Sequence, residues 1–279
     1  MEGGEFRRAS LAVWEAMAPG WDARHAYFEE VARPVTNRML ERLDPSRGDT
    51  ILDVAAGTGV VGFSAAGMVG ETGRVIVSDF ADAMVDSAAK RAEQLGFDNV
   101  ECRVLDAEQI DLPDDSIDGV VCRWGYMLMA DPAAALRETR RVLCPGGRAA
   151  CAVFSGPEEN PWAALPSSVL QQQGHIPPPE PGMPGILALA DRERLRRLFT
   201  EAGFADPDVE EVPFDLRFAG MDDYWGFLTG VAGAIAMVLN RLSEDDQERV
   251  RDELAAQLGQ VGGSHPFELP AKSLVVSAA

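Results

Sequence analysis

Between residues 50 and 154 short apolar runs alternate with helical periodicity. The runs TILDVA, RVIVSD, VECRVLD, IDGVVCRW and RAACAVF carry apolar residues on both faces. Strands of that kind are buried on two sides, so the pattern predicts a mostly parallel sheet with helices on both faces. Between the runs, Val85, Ala88, Ala89 and Ala92 fall at helical spacing and predict one apolar stripe. Asp131-Pro132 reads as an N-cap followed by proline at the first helical position. Pro145-Gly146-Gly147 ends that helix at Cys144.

The rhythm breaks at 155–190, where HIPPPEPGMPG forms a Pro/Gly-rich connection. It resumes with Asp191 as an N-cap, a face of Leu195, Leu198, Phe199 and Ala202, and Gly203 as terminator. DVEEVPFDLRF predicts a strand whose Pro213 belongs at an edge or bulge. Helical patterns cover Met221 to Leu239 and Ser243 to Leu258, the second opened by the capping pair Ser243 and Asp246. LPAKSLVVSAA predicts a last strand. The expected architecture is α/β: a Rossmann-like, doubly wound, mostly parallel sheet with a helical cap built by the N-terminal segment and the insertions. The expected divisions are a helical lid at 1–48, a ligand-binding core at 49–154 and a Pro-rich insertion at 155–190. The C-terminal part of the core sheet takes 191–220 and 265–279, and a helical cap insertion takes 221–264.

Composition narrows the partners. A net charge of −20 repels phosphate backbones and anionic lipid surfaces, so neither nucleic acid nor membrane is an expected partner. The softest apolar run, Trp225 to Leu239, is broken by Gly226, Gly230 and Gly233 and is shorter than the ~20 residues of a membrane span. FRRASLAVWEAMAPG faintly resembles a twin-arginine signal, but Glu15 interrupts its apolar part. Cys102, Cys122, Cys144 and Cys151 form no C-x-x-C pair. Free thiols in a reducing cytoplasm are therefore expected, in a monomer or homodimer.

The chemistry concentrates in ILDVAAGTGVVG. Gly57-x-Gly59-x-x-Gly62 matches the dinucleotide fingerprint, and Asp79 follows Gly59 by 20 residues. A Gly-rich turn at the carboxyl edge of a parallel sheet suits either a nicotinamide cofactor or S-adenosylmethionine, and Asp79 can accept ribose hydroxyls from both. Asp53 separates them, because a carboxylate beside a pyrophosphate is repelled and beside an ammonium is attracted. Asp106-Ala107 ends the third strand, where a carboxylate and a small neighbour suit an adenine amino edge. Tyr27, Tyr126 and Tyr224 have no lysine four residues on, so a dehydrogenase pair is missing.

LDVAAGTG, SDFADAMVDSA, LDAEQIDLPDDSIDGVVCRW and DPAAALRETRRVLCPGG resemble the successive motifs of class I S-adenosylmethionine-dependent methyltransferases, in the UbiE-like (methyltransferase type 11) branch of quinone-biosynthesis C-methyltransferases. The resemblance covers 10–154 well and extends loosely to 218. It implies that Asp53 and the backbone of Ala55, Gly57, Thr58 and Gly59 hold the methionyl end. It also implies that Asp79 holds the ribose, Phe80 and Met84 flank the adenine, Asp106 and Ala107 meet its edge, and Arg123 faces the sulfonium side. The loop departs from the family at Ala55, where glycine is usual; its methyl is tolerable at negative φ.

WEAMAPGWDARHAYF resembles the family's segment ahead of the first strand, with Trp21-Asp22 where Tyr-Asp is common. Trp14, Met17, Trp21 and Phe28 either roof the cofactor or pack a helix on the sheet edge. Pro19-Gly20 reads as a hinge. Trp14, Met17, Trp124, Tyr126, Met127, Trp162 and Trp225 are the candidates for an apolar, partly aromatic acceptor site, although any one of them could belong to the core. Of the histidines, His25 is the first candidate for a general base, ahead of His175 and His265. No metal-binding spacing is present. The expected reaction is methyl transfer by in-line displacement from S-adenosyl-L-methionine to a small acceptor, with O- or C-methylation of an aromatic or quinone-like metabolite favoured. The alternatives are a non-catalytic S-adenosylmethionine-binding accessory protein and, further off, a nicotinamide-dependent oxidoreductase.

Overall fold

The computed structural model describes residues 3–178, 180, 182–261 and 266–279; His265 and parts of the Pro-rich insertion and last connection lie outside it. One sheet organises the chain: β1 (Thr50–Val54), β2 (Arg74–Asp79), β3 (Val100–Val104), β4 (Ile117–Arg123), β5 (Leu143–Phe154), β6 (Asp208–Phe218) and β7 (Phe267–Ala278). Their spatial order is β3-β2-β1-β4-β5-β7-β6, with β7 antiparallel to both neighbours. The chain winds outward from β1 to β3 and returns to the other side of β1 as β4. That reversal opens a crevice at the carboxyl ends of β1 and β4, where ligands bind in doubly wound sheets.

Ahead of β1 run α1 (Gly3–Ala23), α2 (His25–Val31) and α3 (Arg33–Leu43). The core helices are α4 (Val60–Val69), α5 (Asp82–Leu95) and α6 (Pro132–Val142); α7 (Pro161–Gln172) and α8 (Arg192–Glu201) follow, then α9 (Met221–Val231), α10 (Ala234–Leu239) and α11 (Glu244–Val261). Asp131 caps α6 by accepting from Ala134 N at 2.9 Å, and Asp191 caps α8 by accepting from Arg194 N at 2.7 Å. β6 is an edge strand, which accommodates Pro213. Among the described residues no helix is long and apolar enough to cross a membrane.

Several local expectations are corrected. On α5 the buried face is Met84, Val85, Ala88 and Ala92, while Ala89 is exposed. Pro145-Gly146-Gly147 does not separate helix from strand; it lies inside β5 as a bulge, across which pairing jumps from Ile117–Leu143 to Gly119–Arg148. Much of the Pro-rich insertion is helix α7, started at Asn160-Pro161. The single helical run expected from Met221 to Leu239 is two helices, because Gly233 adopts φ +56° beside the ring of Trp14. Nor is Pro19-Gly20 a joint. α1 continues through it, and Gly20 packs so closely on α9 that a Cβ would fall 2.2 Å from the Gly230 carbonyl oxygen.

α1 is tied down at both flanks. Trp21 Nε1 donates to Val231 O at 3.1 Å on the α9 side. On the α5 side, Asp22 accepts from Ser87 at 2.6 Å and from Arg91 at 2.8 Å. The helix thereby spans the crevice.

Candidate active site

β1 delivers Asp53 to the crevice fully buried, and its two oxygens differ. Oδ2 accepts from Gly62 N at 2.7 Å in the first turn of α4. Oδ1 is buried without a hydrogen-bond partner. Burial raises the Asp53 carboxyl to about 7. A carboxylate oxygen enclosed and unpartnered is costly unless a cation arrives to meet it. Gly62 is needed for the approach itself, because a Cβ there would lie 2.6 Å from Val77 and 3.0 Å from Asp53 Oδ2.

The loop between β1 and α4 is held from β2. Asp79 accepts from Gly57 N at 2.9 Å through Oδ2 and from Ala81 N at 3.1 Å through Oδ1. Burial raises this carboxyl as well, to about 6. Ala55 adopts φ +52°, so the negative φ that would make its methyl harmless is not what the chain adopts. Left-handed backbone costs a non-glycine residue about 1 kcal/mol. The methyl fits because Gly125 faces it: a Cβ at Gly125 would sit 2.7 Å from Ala55 Cβ and 2.7 Å from Cys122 Sγ.

At the end of β3, Asp106 accepts from Glu108 N at 2.8 Å and pairs with Arg7 of α1, which also lies 3.8 Å from Glu108. At the end of β4, Arg123 donates to Thr36 Oγ1 at 2.6 Å, with its guanidinium 4.9 Å from the Trp124 ring. Burial lowers the Arg123 side chain to about 10, opposed by the charge of Asp53, so it remains a cation at neutral pH. Trp124 holds φ +63°, an uncommon conformation for a bulky residue, and its indole donates to Ser273 Oγ at 2.9 Å.

These groups share the wall of one cavity of about 1000 Å³. That is at the upper end of the ~300–1,000 Å³ usual for small-molecule sites, enough for two ligands side by side. Asp53, Ala55, Gly57, Asp79, Phe80, Met84, Asp106, Ala107 and Arg123 line it, as do Trp14, Trp21, Trp124, Met127 and Trp162. Seven candidates among the described residues are not on that wall. His25 Nδ1 is bonded to Thr58 Oγ1 at 2.8 Å, behind the loop, and burial lowers the imidazole to about 4. A neutral, enclosed imidazole spent on Thr58 supports the loop and is not placed as a base. Thr58 and Gly59 are turned the same way, Gly59 serving as the N-cap of α4 at φ 87°. Tyr126 is buried under the wall with its hydroxyl 2.6 Å from Thr139 Oγ1. Met17 is buried within α1, and Trp225 packs half-buried on the main core. His175 faces Asp246 of α11 at 4.0 Å.

The wall also holds residues that the sequence reading passed over: Phe6, Arg7 and Ser10 on α1, and Phe214 and Leu216 on β6. Two signals were available. Phe6, Ser10 and Trp14 recur every four residues, and Phe214 and Leu216 alternate along a strand.

Set beside known proteins, this arrangement has a clear kinship. The model of the ubiE/COQ5 methyltransferase family matches residues 31–175. The chain belongs to that family. The ubiquinone/menaquinone biosynthesis C-methyltransferase UbiE of Salmonella arizonae is 32% identical over 188 residues, covering 66% of this chain and 72% of that protein. Among solved structures, a Bacillus halodurans protein superposes with a TM-score of 0.61 at 19% identity, covering 87% of this chain and 97% of the other. A SAM-dependent methyltransferase from Aquifex aeolicus gives 0.52 at 21% identity, covering 68% and 92%. As a ubiE/COQ5 family member the protein is an S-adenosylmethionine-dependent methyltransferase. Its crevice suits that cofactor, since the unpartnered Asp53 Oδ1 is a fitting site for an ammonium group.

Proposed function

We propose that the protein methylates the oxygen or a ring carbon of a small aromatic or quinone-like metabolite. The observation that carries this reading is the two-sided cavity: buried carboxylates at the strand ends, and beyond them a chamber walled by Trp124, Phe154, Trp162, Phe214 and Phe227. Trp124 and Phe154 stack at 4.7 Å, and Phe154 meets Trp162 edge to face at 5.0 Å. Such walls favour a flat apolar ring. The Salmonella relative's name, a quinone-biosynthesis C-methyltransferase, points the same way.

S-adenosylmethionine, when bound, supplies a methyl group on a sulfonium sulfur that leaves as a neutral thioether. The chain's own residues then do four things in this reading. Asp53 Oδ1 holds the ammonium, and Asp79 holds the ribose while its backbone bonds fix the loop. Asp106 and Ala107 border the adenine, with Phe80 and Met84 on its faces. The aromatic walls orient the acceptor and, with α1 as a lid, exclude water. Positioning of this kind carries most of the effect in a displacement that disperses charge. With His25 committed to Thr58, the reading uses no histidine base. The acidic charge of −20 and the four free cysteines fit a small-molecule enzyme of a reducing cytoplasm.

The test is to incubate the protein with methyl-labelled cofactor and extract of the source cells and to analyse products by mass spectrometry. Label in an aromatic metabolite, absent with Asp53→Asn, is the expected result. Label in a protein, in nucleic acid or in an aliphatic amine would overturn the reading.

A further inference from the structure

The wall of the cavity carries a cation, Arg123, beside the stacked rings of Trp124 and Phe154. A sulfonium is itself positive, so an arginine near it opposes its binding. Arg123 is nevertheless held half-buried at the end of β4, fixed by Thr36 on one side and by the Trp124 ring on the other, and opens onto the cavity. Its neighbouring charges are few. Asp53 on β1 attracts it without hydrogen-bonding to it, and His25 on α2 is the other titratable group that feels it. A guanidinium held in place against an aromatic wall favours an anion on that wall.

We infer that Arg123 binds the acceptor as an oxyanion, a phenolate or enolate, against the Trp124–Phe154 wall. The inference rests on the aromatic-acceptor reading above and assigns a residue to it. The acceptor hydroxyl gives up its proton to water on binding, and the negative oxygen accepts a hydrogen bond from the guanidinium. That makes the ring electron-rich at oxygen and at the adjacent carbons, so one binding mode serves O- and C-methylation. It also explains how the reaction proceeds without a histidine base on the wall, since a base is needed only when the nucleophile still carries its proton. Trp124 contributes through its φ of +63°, which turns the chain sharply just after Arg123 and stacks the indole where the acceptor ring lies.

The probe is 4-nitrophenol, whose phenolate absorbs visible light and whose phenol does not. With S-adenosylhomocysteine present, adding wild-type protein lowers the apparent pKa of the probe by about one unit, a tenfold change in its ionisation. Arg123→Gln abolishes the shift while S-adenosylhomocysteine still binds by calorimetry, which shows the variant folded. Arg123→Lys keeps the charge and much of the shift. Thr36→Val leaves the guanidinium unanchored and gives a smaller shift, and these two variants decide the question if Arg123→Gln does not fold. No absorbance change with wild type up to millimolar probe, or an equal shift in Arg123→Gln, overturns the inference. The labelled-product experiment does not depend on Arg123. An aromatic product together with an unshifted probe would remove only the arginine's role.

Discussion

At the end of the cavity nearest β1, β2 and β3, the walls are made by strand termini and the turns that leave them. Asp53, Asp79 and Asp106 stand within 53 residues of one another in the chain, and each is fixed by backbone N–H groups a few residues away. The far end is built otherwise. It is assembled from α1, the turn after β4, α7, the segment around Gly185, β6, α9 and α10, joined by contacts between distant residues. Gly185 N donates to Met127 O at 2.9 Å, and Trp21 Nε1 reaches Val231 O, 210 positions away. One end presents charge held by a rigid sheet. The other presents apolar side chains held by packing. The first suits a polar ligand fixed by charge, and the second suits an apolar ligand held by shape.

The comparison can be broken most forcefully at Asp53. In the proposed reading Asp53 is the charged partner of the cofactor's ammonium, so Asp53→Asn should cost about 1.5–3 kcal/mol, or roughly 10- to 100-fold in S-adenosylhomocysteine affinity by calorimetry. The same substitution should stabilise the empty protein. Burial raises Asp53 to about 7 and Asp79 to about 6 in the folded chain, from an unfolded value of 3.8. A carboxyl raised on folding favours the fold while protonated, and that contribution is lost as pH climbs from about 4 through about 7. Thermal melts should show Asp53→Asn above wild type at pH 8 and level with it near pH 4. Wild type that melts higher than the variant at pH 8 without ligand would contradict the burial argument.

The seam between the two ends is the Ala55–Gly125 contact. Gly125→Ala should destabilise by about 1–3 kcal/mol through overpacking, because its Cβ has 2.7 Å to Ala55 Cβ. Combining it with Ala55→Gly should recover part of that loss, and denaturant titrations of the two single variants and the double variant measure the coupling. Additive effects would show that the two residues do not share space.

Where α1 crosses between the two ends, Trp14→Ala should raise the acceptor's KM by tenfold or more, since Trp14 lines the cavity between Met84 and Gly233. An unchanged KM would remove α1 from the acceptor site. The smallest effect is expected at Arg7. The Arg7 and Asp106 side chains are 33% and 36% exposed, so their pairing should contribute less than about 1 kcal/mol. Arg7→Ala should change thermal stability little and accelerate hydrogen exchange in the first turns of α1.

This division also governed what could be read from the chain itself. The strand runs, the Gly-rich turn and the acidic ends of the first three strands follow from local patterns: apolar runs, a turn that demands glycine, a carboxylate where each of those strands ends. The far wall gives no such signal. Nothing local distinguishes Trp225, packed on the core, from Trp162, which reaches the cavity from another helix. His25 illustrates the same limit. Its place next to the loop was legible, but the bond to Thr58 that turns it away from the cavity is a tertiary contact across 33 positions. Ala55 was recognisable as a departure, whereas its compensation at Gly125 required the fold.

The central claim is that the cofactor occupies the strand-end half of the cavity and leaves the aromatic half free for the acceptor. Hydrogen exchange with and without S-adenosylhomocysteine tests it most directly. Saturating ligand should slow exchange at residues 53–63, 79–84 and 105–108 and along α1, and leave 183–188 and α10 unchanged. Slowing concentrated at 183–188 and α10, with the strand ends unaffected, would contradict it.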